Sequence, residues 1–416
     1  MRTDWSCRVP FHALLLVLAF VGVLPARAQA TVWVDDCAGT GTGTQGNPYC
    51  KIQTAICAIK ATGGTINVLP GTYLEAIRVT ANINIISTDG PTVTTLNATG
   101  KPCPTSDFCT IGAQPNCSAV YFPSAAGSTS RIEGIRITNT GGGIDQATDL
   151  AKIGAGILVF GSSPTITRNE IVGNTISSPT YKLYYGGGIY IQGSVPTTPP
   201  RPVITRNLIQ GNVVDPPAGN STTNSDAFGG GIYIGFNASA LITGNTIKAN
   251  RAGDTAKAFQ SSSGGGVDNT SRVTAVETKI SGNLFTGNLV ADGGGSLSLD
   301  EYIPGAGATE PARGTIDNNI FESNLADDGA AIDVGETRAK IYNNTIHKNT
   351  ARDSGGGLYF SVPVTAANVA EFVNNLVTSN QSMGTAGGAG GAFFVEPSTN
   401  PIVKFSDLWG NTPTNV

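Results

Sequence analysis

The motif Ile-x-x-Asn-x-(Ile/Leu/Phe/Val)-x-x-Asn restricts the fold of this chain more than any other feature. It occupies residues 166–174, 204–212, 242–250, 280–288, 316–324, 341–349 and, opening on Phe372, 372–380. Glycine blocks separate the copies, among them Gly186-Gly187-Gly188-Ile189, Gly229-Gly230-Gly231-Ile232, Gly264-Gly265-Gly266-Val267, Gly293-Gly294-Gly295-Ser296 and Gly355-Gly356-Gly357-Leu358. The first asparagines of the copies, at 169, 207, 245, 283, 319, 344 and 375, are spaced 38, 38, 38, 36, 25 and 31 residues apart. Such periods belong to solenoids, where each unit buries its apolar face only against its neighbours. Fixed motifs with variable spacing mean strands in register and loops of different length at the corners.

The repeat carries strand chemistry. Apolar residues alternate in Pro202-Val203-Ile204-Thr205 and in Ile232-Tyr233-Ile234, and no long stripe of helical period follows residue 62. In a parallel stack, equivalent residues of successive coils lie about 4.8 Å apart. An inward asparagine at a bend can therefore pass its amide from coil to coil, and asparagine also tolerates the left-handed backbone of a tight bend. Asn169, Asn207, Asn245, Asn283, Asn319, Asn344 and Asn375 are thus expected to be scaffold. The glycines admit positive φ or close backbone approach where the next strand begins.

The N-terminus is expected to be a signal peptide, residues 1–28. Arg2 and Arg8 precede the apolar run 11–24, and Ala26-Arg27-Ala28 supplies small residues for cleavage. The apolar core is short for a membrane span, and no later segment approaches eighteen continuous apolar residues, so the mature chain is expected to have no transmembrane segment and to be secreted or held at the cell surface. It then holds 22 basic and 28 acidic residues, a net charge of −6. A mildly acidic surface without Lys/Arg runs argues against nucleic acid as a partner. Six cysteines remain, Cys37, Cys50, Cys57, Cys103, Cys109 and Cys117, and an even number in an exported chain points to disulfides whose pairing the sequence leaves open. Only His12 and His347 exist, which excludes histidine-rich metal sites. His347 occupies a slot also held by Gln210, Lys248, Thr286, Glu322 and Thr378, a solvent-facing position.

With these repeats the chain resembles the right-handed parallel β-helix (pectin-lyase-like) superfamily. The likeness is sharpened by residues 48–56, similar to that family's short capping helix, with Ile52, Ile56 and Ile59 on one face. Residues 64–73 resemble its first coil, closed by Pro70-Gly71, and residues 32–36 the strand leading into it. The expected fold is all-β: a right-handed parallel β-helix with a short N-terminal capping helix. Residues 29–62 form the leading strand and cap, and 63–416 the helix proper. Residues 403–411 form a degraded last repeat, with only five residues after it, so either a partner covers this end or a C-terminal cap is missing.

The resemblance implies that any chemistry sits on the outer face of one parallel sheet. Lyase-type elimination beside a uronate needs a base and a cation, hydrolysis two facing carboxyls. The residue after each glycine-block apolar position should point outward, giving the column Leu158, Tyr190, Tyr233, Asp268, Leu297, Asp333, Tyr359 and Phe394. Aromatic faces stack on sugar rings and carboxylates bind hydroxyls or Ca²⁺, so Tyr190, Tyr233, Asp268, Asp333 and Tyr359 are the candidate substrate-binding residues. Asp327, Asp328 and Asp333 are candidate Ca²⁺ ligands, with Glu336 and the loop pair Asp300-Glu301 nearby in sequence. Arg338 and Arg352 are candidate bases. Arg168 and Arg206, one repeat apart with Glu170 between them, form a candidate uronate clamp. The lyase signatures Trp-Ile-Asp-His and Arg-x-Pro-x-x-Arg are absent, as are Asn-Thr-Asp and Gly-His-Gly of polygalacturonases. The expected function is binding of an extracellular acidic polysaccharide, extended to lyase-type cleavage if the chain is an enzyme. The alternative is a non-enzymatic, adhesin-like or structural surface protein.

Overall fold

The structure, a computed structural model, describes residues 29–102, 117–124, 126, 129–146, 151–176, 183–193, 198–215, 226–235, 237–253, 261–273, 276–291, 293–299, 312–335, 337–361, 369–384, 390–397 and 399–413. The signal peptide expected at 1–28 lies outside these residues, as do Cys103, Cys109, Asp300, Glu301 and Glu336.

The chain is a parallel β-helix. One coil shows the path: Ile189–Gln192, Val203–Thr205, Leu208–Gln210, Val213–Val214, and then Ile232–Ile234 of the next coil. Each strand pairs in parallel with its equivalent one coil away. Among the described residues this builds a first sheet of 12 strands (Ala30–Val34 to Ile402–Lys404) and a second of 11 (Gly71–Tyr73 to Asp407–Trp409). A third has 7 short strands (Thr175–Ile176 to Gln381–Ser382) and a fourth 10 (Ile77–Arg78 to Phe393–Val395). A five-stranded side sheet, Ile144–Gln146, Ala151–Ile153, Leu183–Tyr185, Asp226–Phe228 and Ser261–Ser263, lies outside this path. Its first two strands make the one antiparallel pairing of named strands among the described residues.

Register places the repeat's first apolar residue in one column, Ile166–Ile204–Ile242–Ile280–Ile316–Ile341–Phe372, all buried in the main core. Two asparagine ladders run beside it. Asn245 accepts from the backbone N–H (2.9 Å) and side-chain amide (3.0 Å) of Asn207, and its own amide donates to Ile204 O (2.9 Å) and Asn283 Oδ1 (3.0 Å). The same pattern joins 169 through 375, ending on Ser406. The motif's second asparagines form an equal ladder from Asn174 to Asn411. The left-handed backbone expected of the asparagines falls one residue earlier, at Arg168 (φ 53°), Arg206 (φ 56°), Asn343 (φ 56°) and Asn374 (φ 55°). That corner residue turns the chain, leaving the asparagine free to face inward. At the glycine blocks backbone stacks on backbone: a Cβ on Gly231 would come 2.4 Å from the carbonyl oxygen of Gly266.

At the N-terminal end Ala30–Val34 pairs in parallel with Gly64–Val68. The helix Ile52–Ile59 buries Ile52, Ala55, Ile56 and Ile59. No side chain of its own N-cap residue serves its first turn. Glu75, 23 residues later, accepts the N–H groups of Ile52 (2.8 Å) and Gln53 (3.0 Å), a favourable site for a carboxylate at a helix N-terminus. Cys37 bonds Cys50, and Cys57 and Cys117 are also disulfide-bonded. Among the described residues no helix is long and apolar enough to cross a membrane.

Replacing Asn245 with leucine strands two donors of Asn207 and the carbonyl of Ile204. The expected outcome is a loss of about 1–3 kcal/mol in denaturant unfolding. An unchanged unfolding midpoint would show that the ladder does not hold the coils together.

Candidate functional site

The outer face of the fourth sheet carries the column in which site residues were expected. Its register reads Arg78–Tyr121–Leu158–Tyr190–Tyr233–Asp268–Ser298–Asp333–Tyr359–Phe394. One member differs from expectation. Ser296 adds a residue after the glycines Gly293-Gly294-Gly295, so Leu297 takes the inward slot between Val267 and Ile332, and Ser298 faces out.

The first part of this column is not open to solvent. The side sheet lies over it, and Leu158, Tyr190 and Tyr233 form a second apolar cluster with Ala151, Ile153 and Phe228. Tyr190 is 6% exposed, Tyr233 5% and Asp268 1%. The Tyr190 and Tyr233 rings stack at 5.3 Å, and Tyr185 from the side sheet lies 4.7 Å from Tyr233. The Tyr233 hydroxyl accepts from Thr270 (3.3 Å), and burial raises its pKa well above the ordinary value. Ser263 donates to the Asp268 carboxylate. This corrects the expectation of one solvent-facing strip through Tyr190, Tyr233 and Asp268. Chain leaving the third sheet returns as three-residue strands that cover them, and those strands share no residue pattern that marked them in the sequence.

Beyond Ser263 the described side sheet ends. Asp333, Tyr359 and Phe394 are half-buried there, with one face toward solvent. Tyr359 and Phe394 stack at 5.6 Å with 24° between their planes. The Tyr359 hydroxyl donates to Glu396. Its pKa is pushed far up, first by burial, then by Glu396 and the nearby charges of Asp328 and Asp333. Asp328 accepts the N–H of Ser354 (3.1 Å). The Asp333 carboxylate lies against Gly294, where a Cβ would meet its Oδ2 at 1.8 Å, so only glycine admits it. Glu396, two residues past the column position of Phe394, was not among the residues singled out from the sequence, because it lies outside the alternating outward column.

Asp327 points elsewhere, to an ion pair with Arg352. Arg352 also donates to the carbonyls of Val290 (2.8 Å) and Ala291 (2.7 Å). Asp327, Asp328 and Asp333 therefore do not converge as a ligand set, because alternation along Leu325–Asp328 sends Asp327 and Asp328 to different partners. Among the described residues no group of three His, Cys, Asp or Glu side chains is placed to hold a metal ion. The two candidate bases stand on different sheets. Arg352 lies in Thr350–Ser354 of the third sheet, while Arg338 is exposed on the first, in register with Arg313. The clamp expected at Arg168 and Arg206 is also rearranged: Arg168 pairs with Glu133 (2.5 Å) and Glu170 with Arg136 (3.1 Å). His347 faces outward on the second sheet, hydrogen-bonded to Thr378 (2.9 Å).

No protein-family model matches this sequence, and no curated protein does. Among solved structures the chain is similar to a pectin methylesterase in complex with a hexasaccharide, at 12% identity and a TM-score of 0.42, covering 76% of this chain and 90% of that one. It is similar to the Dettilon tailspike protein at 15% identity and a TM-score of 0.42, covering 90% and 68%. A GH136 lacto-N-biosidase from Eubacterium ramulus matches at 12% identity and a TM-score of 0.35, covering 91% and 67%. The β-helix assignment stands on strand order and register rather than on these likenesses.

One further carboxyl stands out beneath the side sheet. Asp226 is 5% exposed, its Oδ1 has no hydrogen-bond partner, and burial raises its pKa to about 6. Register explains why Lys152 does not neutralise it. Lys152 aligns with Tyr184 and Ala227 on one face of the side sheet, whereas Asp226 and Phe228 lie on the other. A carboxyl with a raised folded pKa stabilises least where it is charged. Stability should be full below about pH 4, the range of an unfolded aspartate, and fall as pH rises through about 6. Asp226→Asn is expected to remove this slope and to raise stability at neutral pH by about 2 kcal/mol. Equal pH profiles for the two proteins in thermal unfolding would contradict the assignment.

Proposed function

We propose that the open end of the fourth sheet, built on Tyr359 and Phe394 and flanked by Asp328, Asp333 and Glu396, binds a carbohydrate chain outside the cell. The half-exposed Tyr359–Phe394 stack carries this reading. Stacked on each other, the two rings leave their edges and outer faces as half-exposed apolar surface against which a sugar ring can pack, and carboxylates beside them accept hydrogen bonds from sugar hydroxyls. The extracellular setting rests on the signal-like segment at 1–28 and the disulfides. The right hand of the coil follows from the strong preference of parallel crossovers, and the helix Ile52–Ile59 serves as the N-terminal cap. The domain reading remains leading strand and cap at 29–62 followed by the β-helix at 63–416.

A binding role is favoured over lyase-type cleavage by one observation. Arg352 is held by Asp327 and two backbone carbonyls, which leaves Arg338, around the corner on another sheet, as the remaining candidate base. An acidic polysaccharide would need a bridging cation such as Ca²⁺ to lie against the carboxylates of this face. The surface-protein alternative predicts no soluble product from any polymer.

Phe394→Ala should weaken binding on a glycan array by about tenfold without lowering the unfolding temperature by more than a few degrees. Tyr233→Ala, in the covered segment, should instead destabilise the fold by about 3–5 kcal/mol, as large buried aromatics do. Undiminished glycan binding by Phe394→Ala would overturn the platform.

A further inference from the structure

We propose that two copies of this chain associate through the outer face of the second sheet. The two β-helices lie face to face and antiparallel, about a two-fold axis that runs along the strand Leu284–Thr286. The inference is independent of the carbohydrate reading, whose platform stands on the fourth sheet. Two observations carry it. First, this face bears an exposed apolar strip. The two ladder asparagines of a coil are five residues apart in every copy, from Asn169 and Asn174 to Asn375 and Asn380, so no insertion interrupts the face between them. One outward column there reads Leu208–Thr246–Leu284–Ile320–Thr345–Leu376. Ile320 is 45% exposed and Leu376 38%, while Leu208 and Leu284 are half-buried. At the spacing of parallel strands the strip is roughly 25 Å long. The core beneath it is already filled by Ile209, Ile247, Phe285 and Phe321, so the strip serves no burial within the chain. Contiguous apolar surface of this kind marks a site of association.

Second, the charges around the strip complement themselves. Lys248 and Glu322 lie beside it, one coil before and one coil after Leu284. A two-fold axis along the strand at Leu284 keeps each outward column facing itself and reverses the order of the coils. Leu284 then meets Leu284, and Lys248 of each copy meets Glu322 of the other. Four coils from Leu284 in either direction the same column holds Arg136 and Asp407, which also meet. Arg136 is half-exposed beside Glu170, and Asp407 would join that pair as a second acid. Lys248 and Asp407 are exposed and Glu322 is half-buried; none of the three is ion-paired within the chain among the described residues. Moving the axis one coil either way would set Lys248 or Glu322 against its own copy. The apolar strip supplies the contact, and the charges select one registry of it.

The test is sedimentation velocity on the purified protein from about 1 to about 100 μM, where a reversible monomer–dimer equilibrium is expected. Lys248→Glu and Glu322→Lys should each weaken the dimer by at least about tenfold, because each sets like charges opposite one another twice. An equimolar mixture of the two variants should recover the dimer, since their reversed charges match again across the axis. Thermal unfolding within a few degrees of the parent protein shows that both variants fold. A parent protein that stays monomeric throughout this range would overturn the proposal. So would a dimer that survives either reversal, or variants that remain apart when mixed. Glycan binding at Tyr359 and Phe394 is untouched by each of these outcomes, so the two readings fail separately.

Discussion

The structure depends on one hydrogen-bonded contact repeated from coil to coil: an asparagine whose carbonyl oxygen accepts two N–H groups from the equivalent residue of the preceding coil. Two ladders of these contacts run from Asn169 and Asn174 to the last described coil and fix register there. A slip of one residue would turn every core isoleucine outward, and the ladders oppose such a slip at two corners of each coil. The residue before each ladder asparagine takes the left-handed bend, whether it is an Arg, Asn, Ser, Lys, Ala or Gly. The corner thus divides its tasks between two positions, one that turns and one that bonds.

Fixed register makes surface columns meaningful. Along the outer face of the fourth sheet a residue's neighbours are set by the repeat, and its exposure is set by what the intervening loops do. Where the loops return as the side sheet, tyrosines become core. Where the described side sheet stops, the same column presents Asp333, Tyr359 and Phe394 half-exposed. The scaffold is uniform and the surface is not.

Much of this was legible in the chain itself. The isoleucine column and the first asparagine ladder follow from period and residue type, and the helix Ile52–Ile59 from its apolar face. From Leu158 to Phe394 the outward column was legible in all but one position, where Ser296 shifts the frame and exchanges Leu297 for Ser298. The burial of Tyr190 and Tyr233 was not legible. Their cover comes from Leu183–Tyr185, Asp226–Phe228 and Ser261–Ser263, three-residue strands of unlike composition whose pairing is settled only once the coils are stacked. The Glu75 contact to the helix is equally non-local, and so is the partnership of Asp327 with Arg352, which separates two adjacent aspartates that looked like one ligand cluster.

The central claim is that one column is divided into a covered aromatic segment and an open one that meets ligand. Hydroxyl-radical footprinting read by mass spectrometry tests it directly, with and without a bound carbohydrate oligomer. The account predicts that Tyr359 and Phe394 are oxidised in the free protein and protected by the oligomer, while Tyr190 and Tyr233 stay unmodified throughout. Oxidation of Tyr190 and Tyr233 as readily as Tyr359, or protection that spares Tyr359 and Phe394, would contradict it.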